Sequence, residues 1–104
     1  METKAYLFRG MYVPEDIIES IDRYVEHGVP TGGFLEAVIC NDLREACGRA
    51  DQDNLRIIPA IVGYLYNHCP STCWGRAYSF DNWITEKRAQ RQVSHDAHLG
   101  GIEA

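Results

Sequence analysis

Two glycines placed directly before an apolar segment are the residues of this sequence best suited to binding chemistry. Residues 30–34 read PTGGF, and the apolar spacing that follows predicts a helix beginning at Phe34. At a helix start, free backbone N–H groups and the positive end of the helix dipole favour an anion such as phosphate. Thr31, Gly32, Gly33 and Phe34 are therefore candidate ligand-binding residues. In the alternative, Thr31 caps the helix and the glycines only form its turn, since the Lys and Ser/Thr of a P-loop are missing.

Arginine and aromatic side chains extend this candidate site. Arg49 is expected to neutralise a phosphate, because its planar guanidinium matches the geometry of that group. The chain also has more aromatic residues than a core this small needs, and Tyr66 and Trp74 are expected to stack on a base. Asn67 completes the candidate ligand-binding set. An equally good interpretation places the surplus aromatics in the core and at a subunit interface.

Cysteine and histidine residues raise the question of a metal site or a thiol catalyst. The pair Cys69 and Cys73 follows His68, but the rest of the chain has no second ligand pair at the two-to-four spacing of structural zinc sites. His68 and Cys69 are adjacent, so in a helix their side chains point about 100° apart and cannot act as base and nucleophile. We expect no metal ligands, no cofactor, no catalytic residues and no enzymatic activity. To complete four nitrogen and sulfur ligands, such a site would need Cys40, Cys47 or His27 in addition.

Four helices must position these residues, according to the spacing of apolar side chains. Pro14 opens the first, which ends at His27 and Gly28, and Asp51 caps the third. Pro59 is expected to kink that third helix or divide it into a short and a long piece. The four helices are predicted at about 14–27, 34–47, 51–69 and 79–92, with Ser79 as the cap of the last, and residues 5–13 are predicted to form a strand or extended arm.

The predicted fold class is mainly α: a small single-domain bundle of about four helices with a short extended N-terminal arm. A chain of 104 residues has the length of one domain. We assign that helical domain to residues 1–92. Residues 93–104 are polar and without period, and we expect a flexible C-terminal tail there.

Composition excludes some functions and favours one compartment. A net charge of −5 argues against general nucleic-acid binding, which depends on neutralising phosphates with cations. The apolar run near the start is too short for a signal peptide or a membrane span. We therefore expect a cytoplasmic protein with reduced thiols that does not bind membranes.

Five short segments of the chain resemble a group of small phage and prophage accessory proteins of uncharacterised function. Asn54 and the segments HGVPTGGFL at 27–35, NDL at 41–43, GRAD at 48–51, YLYN at 64–67 and PSTCWG at 70–75 carry the resemblance. It brings no catalytic residue with it. It implies an origin in a phage and a place in the cytoplasm of a bacterial host, where such proteins often act against host defences.

Two functions fit these observations. The first is a non-catalytic homo-oligomer that sequesters a small nucleotide immune signal at the glycine turn. The alternative is an acidic inhibitor that binds a host nuclease, CRISPR effector or transcription factor. Residues 1–53 carry eleven acidic and five basic residues, whereas residues 54–104 carry four and five, which favours an acidic binding surface. The acidic residues of the predicted first helix would form it, namely Glu15, Asp16, Glu19, Asp22 and Glu26.

Overall fold

The computed structural model describes the backbone of residues 5–103 and the side chains of residues 5–91. Within that part the chain is mainly helical, with six α-helices rather than the four expected, and one two-stranded sheet. The strands are β1 (Tyr6–Phe8) and β2 (Met11–Val13). The helices are α1 (Glu15–His27), α2 (Gly33–Ile39), α3 (Leu43–Arg49), α4 (Gln52–Arg56), α5 (Ile58–His68) and α6 (Ser79–Glu103), with a 3-10 turn at Ser71–Cys73 between the last two.

The predicted N-terminal arm is a β-hairpin. Its strands are antiparallel and joined by Arg9 and Gly10, which both have positive φ angles, of 52° and 82°. Two consecutive positive φ angles define the tight turn whose twist matches that of a hairpin. The Phe8 ring packs on α5 at Gly63, where a Cβ atom would lie 2.8 Å from the ring. The hairpin is thus held on the helices by a contact that only glycine allows.

Helix α1 forms as the sequence predicts. Pro14 lies one position earlier than expected, as the N-cap residue, and Gly28 ends the helix in the left-handed conformation. The apolar stripe is buried, because Ile18, Ile21 and Tyr24 have almost no exposed surface. This stripe is the part of α1 that joins the core.

The helix predicted over 34–47 is wrong, because the chain breaks it into α2 and α3. Asn41 takes the left-handed conformation with φ 60°, and the Asp42 carboxylate accepts a hydrogen bond of 3.2 Å from the Glu45 N–H. Asn tolerates that conformation and Asp is a strong N-cap residue, so these two residues end one helix and begin the next. Cys40 and Cys47 therefore do not share a helix.

The helix predicted from Asp51 onward is divided near Pro59, as expected. Asp51 caps α4 by accepting a 2.7 Å hydrogen bond from the Asn54 N–H. Ile57 separates α4 from α5, and Pro59 occupies the first turn of α5, where its missing N–H leaves no helical bond unmade.

Helix α6 packs along α1. The Trp83 indole donates 3.1 Å hydrogen bonds to the carbonyls of Tyr24 and Val25, and Arg91 donates to the carbonyl of His27. Ser79 is the first residue of α6 rather than its cap, and its hydroxyl accepts a hydrogen bond from the Arg76 N–H. The backbone remains helical beyond residue 92, the predicted end. The flexible tail predicted at 93–104 falls on residues whose side chains lie outside the described part, and it stays a prediction.

One core unites these elements. Residues from β2 and from every helix except α4 contribute buried apolar side chains to it. The most completely buried are Val13, Ile21, Tyr24, Ile39, Ile61, Leu65 and Cys73.

Candidate functional site

A cavity of about 290 Å³ lies against helices α2 and α3. That volume is close to the roughly 300 Å³ at which small-molecule pockets begin. Ala77, from the loop before α6, also reaches it. The full set of lining residues is Gly33, Glu36, Ala37, Cys40, Asp42, Glu45, Arg49 and Ala77.

The break between α2 and α3 creates this cavity. The Asp42 N–H donates to the Ala37 carbonyl at 2.8 Å, and the Asn41 N–H donates to the Val38 carbonyl at 3.0 Å. These bonds turn the chain back, so that α3 packs on α2. Without the turn, Arg49 would lie at the far end of one straight helix, well away from Gly33.

Gly33 and Arg49, two of the predicted ligand-binding residues, meet at the cavity wall. A Cβ atom on Gly33 would lie 2.7 Å from Arg49 Nη1 and 3.4 Å from its Cδ. Arg49 Nε donates a 3.0 Å hydrogen bond to Glu45 Oε1, one helical turn earlier. The Glu45 carboxylate thus orients the guanidinium against the glycine.

Carboxylates dominate the electrostatics of the cavity. Glu36, Asp42 and Glu45 line it against the single guanidinium of Arg49. Burial raises the pKa of the Cys40 thiol, which therefore stays protonated at neutral pH. The cavity can offer one cationic fork to an anion and several acceptor oxygens to N–H or O–H groups.

The predicted ligand-binding residues on either side of Gly33 lie outside the cavity lining. Gly32 is the N-cap residue of α2, with no capping side chain, and the Thr31 hydroxyl donates a 3.0 Å hydrogen bond to the Gly32 carbonyl. Thr31 therefore does not cap the helix, which corrects the alternative drawn from the sequence. Phe34 is half-buried against the core. Because α2 has only seven residues, its dipole alone is a weak anion site.

The other three predicted ligand-binding residues are also placed away from the cavity lining. Tyr66 lies on α5 with 77% of its surface exposed. The Asn67 amide donates a 3.2 Å hydrogen bond to the Tyr6 hydroxyl of the hairpin. Trp74 packs against the core, and its buried indole N–H has no partner among the described residues. The structure thus brings together Gly33 and Arg49 but not Tyr66 or Trp74.

Sequence reasoning missed the acidic residues of the cavity. Gly33, Glu36, Ala37 and Cys40 are spaced at three and four residues, so they share one side of α2. Asp42, Glu45 and Arg49 share one side of α3 in the same way. This spacing could have identified the acidic lining from the sequence, but only if the break at Asn41 had been known.

His68, Cys69 and Cys73, the candidates for a metal site, have other surroundings. The His68 ring lies 5.3 Å from the Tyr6 ring and 5.2 Å from the Tyr64 ring. Across the described part of the chain, no group of three or more His, Cys, Asp or Glu residues is arranged to hold a metal ion. All four cysteines are free thiols.

A second concave surface lies on α1. It has a volume of about 310 Å³ and is lined by Glu19, Asp22, Arg23, Glu26 and His27. Asp22 accepts a 2.5 Å hydrogen bond from the Tyr64 hydroxyl. This bond fixes one of the carboxylates that line the surface. Burial, followed by this bond, raises the pKa of Tyr64 above its usual value.

No protein-family model, curated protein or solved structure matches this chain. The resemblance to small phage proteins therefore stays a prediction. Within the described residues, none of the helices has both the length and the apolar character needed to cross a membrane.

Proposed function

We propose that this protein binds a small nucleotide-type ligand in the cavity between α2 and α3 and sequesters it without chemical change. The observation that carries the proposal is the contact of Arg49 with Gly33, since a Cβ atom there would be 2.7 Å from the guanidinium. Two residues selected from the sequence for phosphate binding, sixteen positions apart, line one concave surface. The proposed site therefore keeps Gly33 and Arg49 and replaces the remaining predicted residues with the lining of this cavity.

The lining restricts the class of ligand. One arginine against three carboxylates disfavours a polyphosphate, because like charges repel at close range. A nucleotide with a single phosphate near Arg49 fits better, since its base can donate hydrogen bonds to Glu36 or Asp42. Carboxylates accept such bonds from the amino groups of bases.

Binding without catalysis agrees with the groups in the cavity. Cys40 is the only thiol among the lining residues, and its raised pKa makes it a poor nucleophile at neutral pH. The guanidinium of Arg49 stays protonated and cannot act as a base. Arg49 and Cys40 thus supply binding and electrostatic attraction rather than a base or a nucleophile.

The biological role rests on the resemblance to phage accessory proteins. A phage protein in the cytoplasm of a bacterial host would protect the phage by holding a nucleotide immune signal away from its receptor.

We also propose that the protein acts as a homo-oligomer, which would use exposed apolar side chains such as Leu43, Leu55 and Tyr66. Light scattering after size-exclusion chromatography measures the subunit number, and a monomer at working concentration would contradict this part.

Native mass spectrometry with a panel of mononucleotides, cyclic dinucleotides and ADP-ribose tests the proposed function. The expected result is one unmodified compound retained per site. Calorimetry on that compound should then show binding at least about tenfold weaker for Gly33→Ala, because the new methyl group displaces the Arg49 guanidinium. Arg49→Gln should weaken binding further.

Gly32→Ala is the matched control, because a Cβ atom at Gly32 has no neighbour within 4 Å. We expect its affinity to equal that of the wild-type protein. Equal affinity for Gly33→Ala and wild type, with α-helical circular dichroism unchanged, would exclude this cavity. Failure of the whole panel to bind would contradict the nucleotide class.

The acidic surface of α1 supports a second candidate function, the inhibition of a basic host protein. Glu19, Asp22 and Glu26 line one depression together, at helical spacing. A basic groove on a nuclease or transcription factor would be attracted to this surface, and salt would weaken the attraction.

A pull-down from bacterial extract tests this second function. The double variant Glu19→Lys/Glu26→Lys should lose any partner that the wild-type protein retains at low salt. Asp81→Lys/Glu86→Lys on α6 changes the net charge equally and should keep the partner. Equal capture by both variants would contradict an interface on α1.

A further inference from the structure

The middle residue of each hairpin strand has backbone groups that point out of the edge of the sheet. Phe8 and Met11 flank the two-residue turn, so they exchange both of their backbone hydrogen bonds, whereas the next pair, Leu7 and Tyr12, makes none. The N–H and C=O groups of Leu7 and Tyr12 therefore point away from the neighbouring strand. Among the residues that the structure describes, nothing else bonds to these groups. Each strand thus has an edge that can accept a further strand.

The edge of β2 is open to solvent and is complementary to a second copy of itself. Tyr12 is 62% exposed, and its N–H and C=O lie on the same edge. When two β2 strands meet antiparallel with Tyr12 opposite Tyr12, the N–H of each copy donates to the C=O of the other. A two-fold axis relates the two copies, so this contact closes a dimer.

The register of this pairing also brings opposite charges together. Each step from Tyr12 toward the turn in one copy is matched by a step toward α1 in the other. Arg9, at the turn, therefore comes beside the acidic first turn of α1, formed by Glu15 and Asp16. Within the part of the chain that the structure describes, neither Arg9 nor Asp16 forms an ion pair. The dimer would supply each of these two charges with its partner.

The edge of β1 lacks this complementarity. An antiparallel pairing with Leu7 opposite Leu7 would place Arg9 opposite Ala5, which has no charge. The Arg9 guanidinium lies 5.0 Å from the centre of its own Phe8 ring, which holds it at the turn end of the hairpin. Charge complementarity thus selects β2 as the paired edge.

We propose that two copies of this chain pair through β2 and form a four-stranded sheet, in the strand order β1, β2, β2, β1. Two backbone hydrogen bonds between the Tyr12 residues and two ion pairs between Arg9 and Asp16 hold the copies together. The two Tyr12 rings come side by side on the outer face, where cross-strand aromatic pairs stabilise a sheet. This inference rests on the homo-oligomer of the proposed function and assigns one contact in it, separate from the exposed apolar side chains and from the ligand cavity.

Charge reversal with sedimentation equilibrium tests this inference on the full-length protein. Arg9→Glu and Asp16→Arg should each raise the dissociation constant of the dimer at least about tenfold, because like charges then face each other. The double variant Arg9→Glu/Asp16→Arg should restore the wild-type value, since the opposite charges have only exchanged places. Arg44→Glu, at an exposed position on α3, changes the net charge equally and is the control. We expect it to leave the dissociation constant unchanged.

The outcomes separate this contact from the proposed homo-oligomer. A wild-type protein that is monomeric at every concentration would contradict both. An oligomer whose dissociation constant is the same in Arg9→Glu, Asp16→Arg and wild type would overturn pairing through β2 and leave the homo-oligomer standing. Weakening in both single variants without recovery in the double variant would also overturn the proposed register.

Amide hydrogen exchange measured by NMR on the wild-type protein does not depend on the folding of a variant. As the protein concentration rises through the dissociation constant, exchange of the Tyr12 amide should slow, because its N–H becomes bonded to the second copy. The Leu7 amide is the internal control, since it lies on the other edge of the same hairpin. We expect its exchange to stay fast. Equal exchange of the Leu7 and Tyr12 amides in the oligomer would overturn the proposal.

Discussion

At the scale of single residues, Tyr24 connects more of the molecule than its place in α1 indicates. Its hydroxyl donates a hydrogen bond to the Cys73 carbonyl at 2.7 Å, and its ring stacks on Phe80 with centroids 5.1 Å apart. The apolar pattern of α1 predicted that Tyr24 faces the core. The partners of its hydroxyl could not be predicted, because they lie about fifty residues away along the chain.

We predict that Tyr24→Phe lowers the free energy of unfolding by about 1–2 kcal/mol. The substitution keeps the ring but leaves the buried Cys73 carbonyl without its donor at 2.7 Å. Urea denaturation measures the loss. Tyr66→Phe on exposed Tyr66 is the control and should change stability by less than about 0.5 kcal/mol. An equal free energy of unfolding for Tyr24→Phe and Tyr66→Phe would show that the hydrogen bond from Tyr24 to the Cys73 carbonyl does not stabilise the fold.

At the scale of elements, local capping signals decided where sequence reasoning succeeded. The end of α1 and the Asp51 cap of α4 were predicted correctly, and the start of α1 to within one residue, because Pro14, Gly28 and Asp51 act through their own backbone positions. The break at Asn41 and Asp42 was missed, because the apolar spacing continues through it. The candidate cavity depends on that break, so its acidic lining could not be predicted.

Two glycines with open space around them separate the effects of backbone conformation from those of packing. Neither Gly10 nor Gly48 has an atom within 4 Å of its Cβ position, but Gly10 has a φ angle of 82°. Gly10→Ala should destabilise the protein by about 1 kcal/mol, because an L-residue is strained in that conformation.

Gly48→Ala should instead stabilise the protein by about 0.5–1 kcal/mol, because Gly48 lies within α3 and alanine favours a helix. Thermal and urea unfolding of the two variants provide the measurement. Stabilisation by Gly10→Ala would contradict the left-handed turn of the hairpin.

At the scale of the whole molecule, the class of fold follows from the sequence and the count of elements does not. Amphipathic spacing predicts a mainly helical domain, and the structure is mainly helical around one core. In the part of the chain that the structure describes, six helices form because short segments end at Asn41 and Ile57. Residues 5–13 were expected as a short strand or extended arm but not as a hairpin, since the turn uses Arg9 rather than a residue typical of positive φ.

Alkaline pH should destabilise the folded protein. Burial is the main cause that raises the pKa values of Tyr24 and Tyr64 in the fold, whereas in the unfolded chain both phenols titrate near pH 10. Their contribution to stability is therefore complete below about pH 10 and is lost as the pH rises above it, because only the unfolded chain ionises readily.

Urea midpoints measured between pH 8 and 11 test this dependence. The midpoint should fall above about pH 10, and the fall should be shallower in Tyr24→Phe, which removes one of the two phenols. A midpoint independent of pH would contradict the burial of both hydroxyl groups.

The most direct test of the proposed ligand site is a two-dimensional NMR titration of the backbone amides with the compound that native mass spectrometry retains. We predict that the largest shifts occur at Gly33, Glu36, Glu45 and Arg49, with Ala77 following, and that the hairpin amides of Leu7 and Tyr12 stay unchanged. Shifts confined to α1 or to the hairpin, with residues 33–49 unaffected, would contradict a ligand site between α2 and α3.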